Sequence, residues 1–130
     1  MDSSYFNMDS FKEDNIRAVD AKFEAQKIAF APLCFQAVRA MLELGLLKAI
    51  EDSGDDGISR KELSQKTGVS EYGAGVLCEM MLGMNVIKLA KQADEERFVI
   101  GKTGWMLLED DLTKVNFWFT NDICYQGAWD

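Results

Sequence analysis

The stretch Ile58-Ser59-Arg60-Lys61-Glu62-Leu63-Ser64, with Thr67-Gly68-Val69-Ser70 close behind it, decides how this chain folds. Ser59 and Glu62 make an S-x-x-E pattern, in which hydroxyl and carboxylate each satisfy a free amide of a first helical turn. The helix they start must be short, because Gly68 supplies the permissive backbone that a helix C-terminus needs. Ser70 offers a second N-cap, and Val76, Leu77, Met80, Met81 and Met84 recur behind it at helical spacing. Asn85 suits a left-handed stop. Val86-Ile87-Lys88-Leu89 and Phe98-Val99-Ile100 have strand character, and the charged Asp94-Glu95-Glu96 between them forms a hairpin tip. Up to Gly101 the order is helix, tight turn, helix, hairpin. That is a winged helix-turn-helix with a small β-hairpin wing, in a chain of mainly α class.

Upstream, the pattern is helical from about Phe11 to Ala31. Ile16, Val19, Phe23 and Phe30 lie on one stripe, which Ala21, Ala25 and Ile28 widen. Pro32 biases Ala31 out of the helical region and itself fits the first turn of a new helix. That helix is apolar around most of its circumference: Leu33, Ala37, Ala40, Met41 and Leu44 mark one face, and Phe35, Val38 and Leu42 another. Such a helix must be buried on two sides; in a small chain a second subunit is expected on one of them, the alternative being that the first helix and the winged module together cover it. The expected interface residues of this homodimer are Phe23, Phe30, Leu33, Phe35, Val38 and Leu42. Gly45 allows a break before a short helix through Ile50. After the wing, Thr103 is expected to cap a helix through Leu108 that stops at Glu109-Asp110-Asp111, and a last apolar stretch follows from Leu112. The layout is then a loose N-terminal arm over 1–10, dimerisation helices over 11–53, the winged helix-turn-helix over 54–109 and a linker helix over 110–130.

Composition bounds the partners. With 130 residues, 48% of them apolar, the chain supports one domain with a real core. A formal charge of −8 with no histidine speaks against nucleic acid or an anionic membrane surface as partner. No run approaches the ~18 apolar residues of a membrane span, and the acidic N-terminus is unlike a secretory signal. Cys34, Cys78 and Cys124 are odd in number and far apart, so reduced thiols in the cytoplasm fit better than disulfides or zinc.

Winged helices commonly read DNA, and the residues argue against it here. The helix from Ser70 to Met84 would have to present basic or amide side chains to bases and phosphates, yet its charged residues are Glu71 and Glu79. The acidic wing tip would meet phosphates with like charge. Catalytic chemistry is no better served. There is no histidine base, and no Ser or Cys has an activating motif. Asp55-Asp56 and Asp110-Asp111 read as solvated loops. Gly73-Ala74-Gly75 follows no strand and would place Cys78 at the third glycine of a nucleotide fingerprint, so the glycines are expected to serve close helix packing. Met80, Met81 and Met84 read as core rather than as a metal site. The residues by themselves leave an interaction module.

Taken in order, several runs carry a resemblance. They are Phe35-Gln36-Ala37-Val38-Arg39-Ala40-Met41-Leu42-Glu43-Leu44-Gly45-Leu46-Leu47-Lys48-Ala49-Ile50, Ser59-Arg60-Lys61-Glu62-Leu63, Thr67-Gly68-Val69-Ser70, Leu77 to Val86, and Phe98 to Leu108. Together, over roughly residues 30–130, they resemble the N-terminal dimerisation domain of S-adenosylmethionine-dependent small-molecule O-methyltransferases. Asn121, Asp122 and Trp129 look like that family's polar-Asp pair followed seven residues later by Trp. The resemblance implies that this last helix lines the acceptor-substrate pocket, with Phe119, Thr120 and Ile123 as wall residues; with Asn121 they offer the apolar surface and few polar groups that a small-molecule site needs. No residue matches the family's glycine-rich cofactor loop, acidic ribose ligand or catalytic histidine. The chain is therefore expected to be part of a methyltransferase whose other domain holds S-adenosylmethionine, binding no cofactor or metal itself. The alternative is an acidic winged-helix transcriptional regulator or protein-binding adaptor.

Overall fold

The structure, a computed structural model, describes residues 8–126. The chain divides into two units, Met1–Pro32 and Leu33–Asp130. In the first unit a 3-10 turn, Met8–Phe11, is followed by extended chain and then by helix α1, Ala18–Ala29. The helix starts later than the apolar period suggests. Asp14 Oδ1 accepts the backbone N–H of Ile16 at 3.2 Å, and a side chain that bonds two residues ahead holds the backbone in a turn instead of a helix. Residues 1–7 of the expected arm, and Trp129, lie outside the described residues.

The second unit holds most of α2, Ala31–Glu43, and then α3, Leu46–Asp52, entered through Gly45 at φ 76°. A 3-10 turn, Gly54–Asp56, leads to α4, Arg60–Thr67. Ser59 caps α4, its hydroxyl accepting the Glu62 amide at 3.2 Å. The Glu62 carboxylate takes the Ser59 hydroxyl at 3.1 Å and reaches back to the Ser59 backbone, so the box closes from both sides. Gly68, at φ 80°, turns the chain into α5, Glu71–Gly83, which Ser70 caps by accepting the Gly73 amide at 3.0 Å. Asn85, at φ 60°, is the one non-glycine with positive φ among the described residues. It passes the chain to the antiparallel pair β1, Ile87–Leu89, and β2, Phe98–Ile100, in the register Ile87 to Ile100. Ile58 bridges Phe98 on the other edge of β2.

Two boundaries after the wing differ from expectation. Helix α6, Lys102–Glu109, is capped by extended Gly101 rather than by Thr103. The Val86 carbonyl explains the glycines here: it accepts the Gly101 amide, and a Cβ on either Gly101 or Gly104 would run into it. Asp110 does not sit in a loop. Its carboxylate accepts both the amide and the hydroxyl of Thr113, at 2.9 and 2.7 Å, and so caps α7, Asp111–Thr120. A π-turn, Asn121–Gln126, continues α7.

A single cluster forms the core of this unit. Met41 of α2, Leu46, Leu47 and Ile50 of α3, Leu63 of α4, Met81 of α5, Ile87 of β1 and Phe98 of β2 are all fully buried in it. Helix α3 sits at its centre, packed against α4, α6 and β2.

Candidate functional site

Three surfaces could carry function, and the charges decide the first. Helix α5, the DNA-reading helix of a winged fold, exposes Glu71, Tyr72 and Glu79. The arginines nearest to it are already engaged. Arg60 donates to Glu96 at 2.6 Å and to Glu79 at 2.9 Å, which raises its pKa further above its ordinary value. Arg97 donates to Glu62 at 2.8 Å and to the carbonyls of Asp56 and Gly57 at 2.9 and 2.8 Å. Gly75 has a role in this arrangement. A Cβ there would strike the Arg60 guanidinium, so the missing side chain is the notch through which Arg60 crosses α5. The two arginines tie wing, α4 and α5 together.

The second surface is the outer side of the wing, a cleft of ≈ 820 Å³ between the hairpin and the Gly54–Asp56 turn. Val99 and Lys88 line it as a cross-strand pair. Lys88 Nζ donates to Asn85 Oδ1 at 2.7 Å, and Arg97 is held as above. No cluster of His, Cys, Asp or Glu among the described residues is suited to a metal ion.

The third surface is apolar and helical. In the first unit none of the described residues of α1 is buried, and Phe23 is 65% exposed with Val19, Ile28 and Phe30 also bare. Of the expected interface residues in the second unit, Leu33 is exposed, Phe35 and Leu42 are half-buried, and Val38 is packed in the core. Phe35 is drawn inward by stacking on Phe117 at 4.2 Å and on Tyr125 at 4.8 Å between ring centroids. On α7 and its π-turn, Leu112, Val115, Phe119 and Ile123 form one ridge, each between 61% and 70% exposed. Phe117 and Trp118 face the other way, into the core.

Of the expected pocket residues, Phe119 and Ile123 are on that ridge, Thr120 is half-buried, and Asn121 is buried at 3% exposure. Asn121 Nδ2 donates to Asp122 Oδ1 at 3.3 Å, while Asn121 Oδ1 has no hydrogen-bond partner among the described residues. A buried acceptor without a donor is uncommon enough in folded proteins to mark a position worth explaining. Sequence patterning gave no hint of it, since burial of one amide oxygen depends on long-range packing. Cys34, Cys78 and Cys124 are free thiols, and burial pushes Cys78 up to about 12, far from a thiolate nucleophile.

Nothing among these side chains forms a catalytic set, and the glycines after β2 are closed off by the Val86 carbonyl. Among the described residues no helix is long and apolar enough to cross a membrane. A family model, the Dimerisation2-like domain, matches residues 22–98. No curated protein matches. Among solved structures, the crystal structure of S-adenosylmethionine-dependent methyltransferase SibL in its apo form aligns with a TM-score of 0.62 and 20% identity. The match covers 80% of this chain and 30% of that one, and at this identity it speaks for the fold.

Proposed function

This chain belongs to the Dimerisation2-like domain family, and from that premise we propose that it pairs the subunits of a methyltransferase and closes its acceptor pocket. The observation that carries the reading is the bare apolar surface of α1, where Phe23 stays 65% exposed. Large exposed apolar side chains in a row on one helix call for a covering partner, and a second copy covers both faces at once. The likeness in fold to a methyltransferase of which this chain spans 30% supports the larger assignment.

In this reading S-adenosylmethionine binds elsewhere in the enzyme, because the described residues do not fit it. A nucleotide cradle needs glycines that leave backbone amides open at the start of a helix. Here Gly101 and Gly104 are spent on packing against Val86, and Gly73 and Gly75 lie inside α5. The α7 ridge with Phe119, Thr120, Asn121 and Ile123 forms the wall of a small-molecule site, apolar with a few polar groups. The 110–130 segment leads toward the catalytic part, the protein works in the cytoplasm, and nucleic acid is not a partner.

Light scattering after gel filtration tests the pairing. The expected result is a dimer at tens of micromolar, and Phe23→Asp should weaken association by about 30-fold or more while helicity by circular dichroism is kept. A monomeric wild type across that range would defeat the reading. In the methyltransferase that contains this chain, Phe119→Ala should raise the KM of the acceptor and leave cofactor affinity nearly unchanged.

A further inference from the structure

Helix α5 buries one side and leaves the other without a partner. Ala74, Gly75, Cys78 and Met81 are buried, with α4 and β1 packed against the helix. On the outer side Tyr72, Val76, Glu79 and Gly83 are all exposed and fall at i, i+4, i+7 and i+11, the spacing of a face that meets another helix. Tyr72 projects furthest, at 83% exposure. A Cβ at Gly83 would meet nothing within 4 Å, which leaves room for close approach at that end.

Carboxylates frame this face. Glu71 is exposed at its start, and Glu79 lies two turns, about 12 Å, further along the axis. Arg60 donates at once to Glu79 at 2.9 Å and to Glu96 at 2.6 Å, which brings the wing tip to the edge of the same face. Next to Glu96 in the chain, Glu95 keeps its side chain 75% exposed. One guanidinium thus serves two carboxylates, and Arg97 is taken by Glu62 and two backbone carbonyls. The surplus charge on the face is negative. The α7 ridge is different, since Leu112, Val115, Phe119 and Ile123 are all apolar. A second copy laid on the α5 face would set acid against acid, and nucleic acid or an anionic membrane would be repelled in the same way.

We propose that the outer face of α5, together with the wing tip, docks a basic amphipathic helix of another protein. Its lysines or arginines meet Glu71, Glu79 and Glu95, and its apolar stripe packs on Tyr72 and Val76. Tyr72 is the anchor, because its ring offers apolar area and a π face that attracts a cation. The charges stay near the surface, so the association is salt-sensitive. This surface is independent of subunit pairing and of the pocket wall.

The probe is a synthetic helix of about 14 residues, four turns, with leucine on one face and lysine on the other. The control is the same peptide with glutamate in place of lysine. Each is titrated into this chain while the methyl groups of Val76, Leu112 and Ile123 are followed by NMR. The lysine peptide should shift Val76 with a Kd of about 100 µM or tighter at low salt, and the glutamate peptide should not. Tyr72→Ala should weaken binding about tenfold with the melting temperature unchanged, as expected for an exposed anchor. Glu95→Lys should weaken it independently of Tyr72, and raising the salt to about 0.5 M should do the same in the wild type. Shifts confined to Leu112 and Ile123, equal binding of both peptides, or unchanged affinity in Tyr72→Ala would overturn the proposal. So would a silent Val76 at millimolar peptide. Broadening of Val76 with protein concentration alone would show a second copy on this face, and would overturn it too.

Discussion

The winged module and the α7 ridge both carry large apolar side chains and treat them in opposite ways. Between Ile58 and Gly101 the large side chains Leu63, Met81, Ile87 and Phe98 are fully buried, helix starts are capped, and Arg60 and Arg97 are paired with carboxylates. On the ridge, Leu112, Val115, Phe119 and Ile123 are bare, and an amide beside them lacks a donor. Helix α1 has the same character as the ridge. The winged module is closed with respect to its own chemistry, whereas the ridge and α1 are left open. In the winged module Arg60 and Arg97 are engaged by carboxylates and carbonyls of the module itself.

The largest effect that tests this contrast comes from two phenylalanines. Phe98→Ala should cost about 3–5 kcal/mol in urea unfolding, since a fully buried ring leaves a cavity lined by Ile58 and Leu89 neighbours in the sheet. Phe23→Ala, measured where the chain is monomeric, should fall within about 0.5 kcal/mol of wild type. Similar losses for both would erase the distinction between closed and open regions.

A smaller effect sharpens it. Ser70→Ala removes the acceptor for the Gly73 amide and should cost about 1 kcal/mol by the same urea measurement.

The smallest is a pH effect. Arg97, and after it Ser59, holds the Glu62 carboxyl below its ordinary value of 4.5, and Thr113 holds Asp110 below 3.8. A carboxyl whose pKa is lower in the folded state adds stability above the unfolded value and loses it as the pH falls through the folded one. Thermal midpoints should therefore decline below about pH 4.5, the onset set by the Glu62 value cited above. Glu62→Gln should flatten the upper part of that decline. The difference between wild type and variant should shrink in high salt, since the Glu62 carboxylate is exposed.

What the sequence made legible was local. Ser59, Gly68, Ser70 and Asn85 act on backbone within a few residues of themselves, and each does in the structure what its type suggests. Local competition also explains the misread boundaries. Asp14 bonds the Ile16 amide and delays α1, and Asp110 caps α7 where a charged pair looked like a loop. The long-range contacts were out of reach. Arg60 and Glu96 are 36 positions apart, and Phe35 meets Phe117 and Tyr125 only because α2 and α7 share a core. For the same reason nothing in the sequence around Asn121 showed that its oxygen would be buried and unpaired among the described residues.

The three cysteines give this chain an internal clock for its own opening. Cys124 is exposed in the π-turn and Cys34 half-buried in α2, so thiol reagents reach the first at once and the second through small movements. Cys78 sits at the centre of α5, fully buried, and can be modified only when the winged module comes apart. In one native sample, the labelling of Cys124 then follows the reagent, and the labelling of Cys78 follows the unfolding of the module itself.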